Sequence, residues 1–207
     1  MSNEILWLDW ARRIQSISQT GLEFANNEYD VERNLKLQKI AAEIVAEYSS
    51  IKEDKLIEIF AHQAGYATPK VDVRTAIVED NKLLLVKEIS DGKWAMPGGW
   101  ADVGDVPSKA AEREAKEESG YDVEATKVIG VYDANRRPGR LELFHAVKIV
   151  YLCKKIGGDA APSFETPEVK FFSFDDLPEL SANRTNQKHI NHIIEHLKDP
   201  LRPTDFE

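Results

Sequence analysis

The sequence is poor in cysteine: Cys153 is the single one in 207 residues. No internal disulfide can form, which excludes a disulfide-stapled scaffold and fits a reducing compartment. Long apolar runs are also missing. None approaches the roughly 20 residues of a membrane span, and the first residues hold no apolar stretch of the signal-peptide kind, so a cytoplasmic protein with no membrane partner is expected. Basic residues are in deficit, with 27 Lys and Arg against 36 Asp and Glu and a net charge of −9. Broad binding to nucleic-acid phosphates is therefore disfavoured, although a local basic rim can still meet a nucleotide. What remains is ordinary globular material, 42% hydrophobic and 30% charged, with room for one core plus a smaller unit.

Residues 1–65 read as that smaller unit. Ile5, Leu6, Trp10, Ile14 and Ile17 recur at helical spacing, as do Leu37, Ile40, Ala41, Ile44, Val45 and Tyr48, and a third short set is Leu56, Ile57 and Phe60. Thr20 and Gly21 are expected to break the first helix, and Asn26 and Asn27 precede the second. There is no strand signal, and an acidic balance argues against a DNA-binding helix-turn-helix. Trp7 and Trp10 read as core or interface aromatics. A unit this small leaves apolar helix surface uncovered, so a homodimer built through it is expected.

After Pro69 the pattern changes to period two. Val71, Val73, Thr75 and Ile77 alternate, Glu79 to Asn81 turn the chain, and Leu83 to Val86 form a buried run. Further strands are expected over 128–132, 141–153 and 169–174, and a closing helix over 185–197. Strands with an intervening and a closing helix predict an α/β fold with a mixed sheet between helical layers.

The chain is organised around the stretch from Gly99 to Tyr121. Pro107 suits a first helical turn and Gly120 a left-handed stop, which predicts a helix from about Pro107 to Ser119. On it Glu114 lies three residues before Glu117 and four before Glu118, so three carboxylates share one face. Like charges at this spacing cost roughly 0.2–0.5 kcal/mol per pair, and Arg113 offsets only part of that. A hard divalent cation such as Mg²⁺, which takes carboxylate oxygens and keeps waters and phosphates as its other ligands, is the simplest compensation.

Gly99, then Arg113-Glu114-Ala115, Glu117-Glu118 and Gly120-Tyr121 at this spacing resemble the box of the Nudix hydrolases, which cleave nucleoside diphosphates linked to another moiety. One position departs: Asp105 stands where the box has Glu. In the family that residue supports the loop and metal site, so the departure bears on fine geometry. The resemblance implies an α/β/α sandwich over residues 66–207. The helical opening segment, the Pro97-Gly98-Gly99-Trp100 lead-in and Arg184-Thr185-Asn186 further resemble a branch that places a short helical domain before the Nudix domain and acts on X-linked nucleoside diphosphates such as CDP-choline or ADP-ribose.

The same resemblance implies roles. Glu114, Glu117 and Glu118 would ligate Mg²⁺, with Mn²⁺ the alternative ion, joined by a backbone carbonyl at Gly98 or Gly99. Arg113 would pair with a box carboxylate. A general base comes either from the box or from a later loop, where Glu165 and Glu168 stand before the last strand, and Glu165 is favoured. Trp100 can stack a base or simply pack. Arg74, Arg136, Arg137 and Arg140 can reach phosphate or ribose, against the ordinary reading of solvated strand ends and turns. His189, His192 and His196 share a helical face and read as surface, while Cys153 and His145 read as packing residues within a strand. Two other functions compete with small-molecule hydrolysis: pyrophosphohydrolysis or exonuclease action on RNA, and a non-catalytic nucleotide-sensing module.

Overall fold

A computed structural model of the chain describes residues 6–135 and 143–207. These divide into two compact units. The first holds the described residues up to Pro69 together with Asn135 and residues 143–145, and the second runs over Lys70–Ala134 and Ala146–Glu207. The return of the 143–145 segment to the helical unit is invisible in the sequence periodicity, which draws one boundary at residue 65.

The first unit is three helices, α1 (Leu6–Glu23), α2 (Glu28–Glu47) and α3 (Glu53–Ala61). Ala11, Ala41, Ala42, Val45, Leu56 and Phe60 close its core, with Trp7 and Leu143 packed against it. The Asn27 side chain caps α2 by accepting the Asp30 N–H at 2.9 Å. The expected break at Thr20 and Gly21 does not occur, for α1 continues to Glu23. Gly21 serves close helix packing instead: a Cβ there would sit 2.1 Å from Asn34 Oδ1 on α2. The mid-helix propensity cost of glycine is offset by the approach it permits.

The second unit is a seven-stranded mixed sheet covered on both faces. Its strands are β1 (Lys70–Glu79), β2 (Lys82–Lys87), β3 (Trp94–Ala95), β4 (Tyr121–Asp133), β5 (Ala146–Gly158), β6 (Glu168–Ser173) and β7 (Asp205–Phe206). The order is β3-β2-β1-β5-β4-β7, with β6 paired to β2. β1 runs parallel to β5 and antiparallel to β2, across a tight turn in which Asp80 and Asn81 both take positive φ. Helix α4 (Pro107–Ser119) lays Ala110, Ala111 and Ala115 on Val73, Ile77, Leu84 and Tyr151. Helix α5 (Gln187–Lys198) sets Ile190 and Ile193 on the other face, against Ala76, Leu85, Ile129 and Val150.

Helix α4 has the bounds expected from Pro107 and Gly120, the latter at φ 80°. β4 is longer than expected, at 13 residues, and β5 has the expected length but lies five residues further along the chain, at Ala146–Gly158. Register shifts between them at three points disturb the alternation by which strands are recognised. The surface reading of the α5 histidines is corrected: His189 and His196 are buried, because they fall on the stripe of α5 that faces the sheet. His145 is exposed and precedes β5 rather than lying within it. No helix among the described residues is long and apolar enough to cross a membrane.

Candidate active site

The site forms where the loop after β3 meets α4. Three strand-like bonds hold that loop against β1. The Thr75 N–H donates to the Pro97 carbonyl and the Val73 N–H to the Gly99 carbonyl, both at 2.9 Å, and the Ala101 N–H donates to the Val71 carbonyl at 3.0 Å. Gly98 takes φ 146° and crosses β1 so closely that a Cβ would lie 2.0 Å from the Val73 carbonyl oxygen. Only glycine fits there. At Gly99 a Cβ would stand 2.8 Å from Glu114 Oε2, so the second glycine makes room for a box carboxylate.

Glu118 reaches back across this junction and accepts the Gly98 N–H at 2.8 Å. Its carboxyl stands at about 7, raised chiefly by burial. Within that balance the Arg74 guanidinium and the Gly98 N–H pull it down, and the charges of Glu88 and Glu114 push it up. Glu114 is raised for the same first reason, burial, against the nearby Arg113. Arg113 is the hub of the helix face. It donates to Glu114 at 2.9 Å, to Glu117 at 3.2 Å and to Asp105 at 3.1 Å. Asp105, one methylene shorter than the residue of the family box, thus still reaches the Arg113 fork. It also accepts the Asp102 N–H at 3.0 Å, closing the loop before α4.

The donor set suits a hard divalent cation: three carboxylates on one helix face, two of them buried enough that their own charge is unfavourable without a counter-ion. Among the described residues no group of three or more His, Cys, Asp or Glu side chains converges as placed, because Arg113 takes oxygens of Glu114 and Glu117. Glu117 is more than half exposed and can turn without disturbing the core. The Gly99 carbonyl already accepts from Val73, so ligation there would use its second lone pair.

A second loop approaches from the β6 side. Thr166, fully buried, donates its hydroxyl to the Glu118 carbonyl at 2.7 Å. The neighbouring Glu165 is exposed, and its backbone carbonyl accepts the Ile89 N–H at 3.1 Å. The other acid of this segment, Glu168, is held between Lys170 at 2.6 Å and Lys87 at 2.7 Å, which brings its carboxyl down to about 2. So weak a base suits proton abstraction poorly, which leaves Glu165 as the acid of that loop.

The expected substrate contacts separate. Trp100 is half exposed and forms an antiparallel bridge opposite Asp72. Arg74, by contrast, is only 5% exposed and directs its donors to Asp72 and the Met96 carbonyl rather than to solvent. Arg136, Arg137 and Arg140 lie outside the described residues. Sequence reasoning missed Glu88, a buried acid raised first by its burial and facing Arg184 and Arg74. Its Oε1 lies 3.0 Å from Arg184 Nε without the alignment of a hydrogen bond. It also missed Asp72 and Lys148, whose pairing depends on the register of β1 against β5.

Glycine loop, carboxylate helix and mixed sheet together define a class, and the chain belongs to the NUDIX family, whose domain matches residues 68–193. Residues 6–60 match a second family, described as a UDP-X-like, N-terminal oligomerisation domain. Among relatives, YjhB of Bacillus subtilis (strain 168), provisionally named an ADP-ribose pyrophosphatase, is 36% identical over 97% of both chains. A solved ADP-ribose pyrophosphatase from Streptococcus suis is 37% identical at a TM-score of 0.62, covering 68% of this chain and all of its own. A solved UDP-X diphosphatase is 30% identical at a TM-score of 0.63 and covers 97% of this chain and 98% of its own. The chain is a Nudix pyrophosphohydrolase.

Proposed function

We propose that the enzyme is divalent-metal-dependent and hydrolyses X-linked nucleoside diphosphates to a nucleoside monophosphate and a phosphorylated X. The observation that carries this reading is the junction of Glu118 and Glu114 with the Gly98-Gly99 loop, where two partly buried carboxylates repel one another. A bound Mg²⁺ or Mn²⁺ would neutralise pyrophosphate oxygens and make water a better nucleophile. Glu114, Glu117 and Glu118 would hold it. Arg113 fixes the spacing of Glu114 and Glu117 on α4, and Glu165 accepts the proton of the attacking water on its exposed carboxylate.

ADP-ribose and UDP-linked compounds rank ahead of CDP-choline as substrates, on the strength of what the relatives are named for. Turnover with Mg²⁺ on ADP-ribose, UDP-sugars, CDP-choline and a short RNA, read by phosphate release with a coupling phosphatase, tests the reading. Cleavage of one small diphosphate well above RNA is expected. RNA degraded as fast as any small substrate, or tight nucleotide binding without turnover, would overturn it.

The helical unit is inferred to join two copies. Its family match is described by oligomerisation, and Trp10 and Ile17 on α1, with Phe24 just past its end, recur every seven residues and are each more than half exposed. A shared apolar stripe of this kind is normally covered by a partner.

A further inference from the structure

Three charges lie inside the sheet behind the glycine loop. Lys148 on β5 is completely buried, its Nζ 2.5 Å from the Asn183 carbonyl, 2.8 Å from the Arg184 carbonyl and 3.3 Å from Asp72 Oδ2. Asp72 is its register partner on β1 and gives its other oxygen to Arg74 Nε at 2.9 Å. Arg74 in turn donates from Nη1 to the Met96 carbonyl at 3.3 Å. Burying a charge costs several kcal/mol even when it is paired, and an apolar trio of similar volume is often at least as stable. A stability role is therefore a weak explanation for keeping all three.

Their placement offers a better one. Met96 is gripped from two sides, its carbonyl by Arg74 and its N–H by the buried Thr185 hydroxyl at 2.8 Å. Two residues on, Gly98 lies across Val73 and Arg74 and offers its N–H to Glu118. The Arg74 guanidinium is also the cation that most strongly attracts the Glu118 carboxylate, and it attracts Glu88 as well. Left without Asp72, Arg74 would be drawn toward those two acids, and toward Glu118 it would compete with any metal.

We propose that Asp72, backed by Lys148, is a positioning residue of the hydrolytic reaction: it anchors the Arg74 fork to the Met96 carbonyl and so holds both the Gly98 donor and the Glu118 carboxylate in place. The proposal rests on the hydrolase reading above. It assigns Arg74 to the frame of the site instead of to substrate.

Asp72→Asn, Arg74→Gln and the double variant test it, with kcat and KM measured on the best small diphosphate and Mn²⁺ affinity measured on the free enzyme by calorimetry. Asp72→Asn is expected to lower kcat at least tenfold with KM within threefold, and to weaken Mn²⁺ binding at least threefold. In the Arg74→Gln background the same change is expected to lower kcat by less than threefold, because its effect runs through Arg74. Should Asp72→Asn not fold, Arg74→Lys, which keeps the charge but not the fork, carries the same expected fall in kcat. A loss confined to KM, effects that multiply in the double variant, or unchanged Mn²⁺ affinity would overturn the proposal. Absence of turnover in the wild-type enzyme would instead overturn the hydrolase reading, which separates the two failures.

Discussion

Glu118 joins three roles at one residue: it receives the glycine loop, faces the buried Arg74 and is an expected metal ligand. Its carboxyl stands near 7 against an ordinary 4.5, chiefly through burial. A raised value means that the folded protein binds this proton more tightly than the unfolded chain does. The resulting stability is complete below the ordinary carboxylate range and is lost as pH rises through about 7. Metal-free wild-type protein is therefore expected to lose of order 1–3 kcal/mol between pH 4.5 and 8 at this residue, and Glu118→Gln to lack that loss. Thermal melts in chelator at pH 8 should find the variant more stable than wild type. Equal melting temperatures at pH 8 would show that the buried charge carries no such cost. At Glu165, Glu165→Gln is expected to reduce kcat about 10²–10⁴-fold with the fold unchanged, the range for a lost general base, checked by kinetics beside circular dichroism.

Among the elements, α4 was the most legible in the sequence because its limits are set by local chemistry, proline at one end and glycine at the other. The turn at Asp80-Asn81 was legible for the same reason. Gly21 was misleading: its purpose is contact with Asn34, thirteen residues away on another helix, and local propensity carries no trace of that. The carboxylate face and Arg113 could be read from spacing alone. The buried network of Asp72, Arg74 and Lys148 could not, since it depends on the parallel pairing of β1 with β5, and register between distant strands is not written in either one. The loop lends itself to a direct check. Gly98→Ala forces a Cβ onto the Val73 carbonyl at a backbone angle disfavoured for alanine, and about 1–3 kcal/mol of destabilisation with loss of turnover is expected from urea unfolding and kinetics.

At the scale of the whole molecule, the carboxylate helix, the glycine loop and Glu165 all fall within the unit of Lys70–Ala134 and Ala146–Glu207, and the helical unit carries an apolar stripe on α1. Trp10→Glu combined with Ile17→Glu is expected to halve the mass measured by light scattering, since two buried charges at an interface cost several kcal/mol each. An unchanged mass would place the association elsewhere. The carboxylate face of α4 is proposed as a metal-dependent hydrolytic centre. It is tested most directly by titrating Mg²⁺ into wild type and Glu118→Gln with ADP-ribose as substrate and following the release of monophosphate. Wild-type turnover that rises from zero with Mg²⁺, and a variant at least a thousandfold slower at saturating metal, is the predicted result. Turnover that persists in chelator, or a variant within tenfold of wild type, would contradict the account.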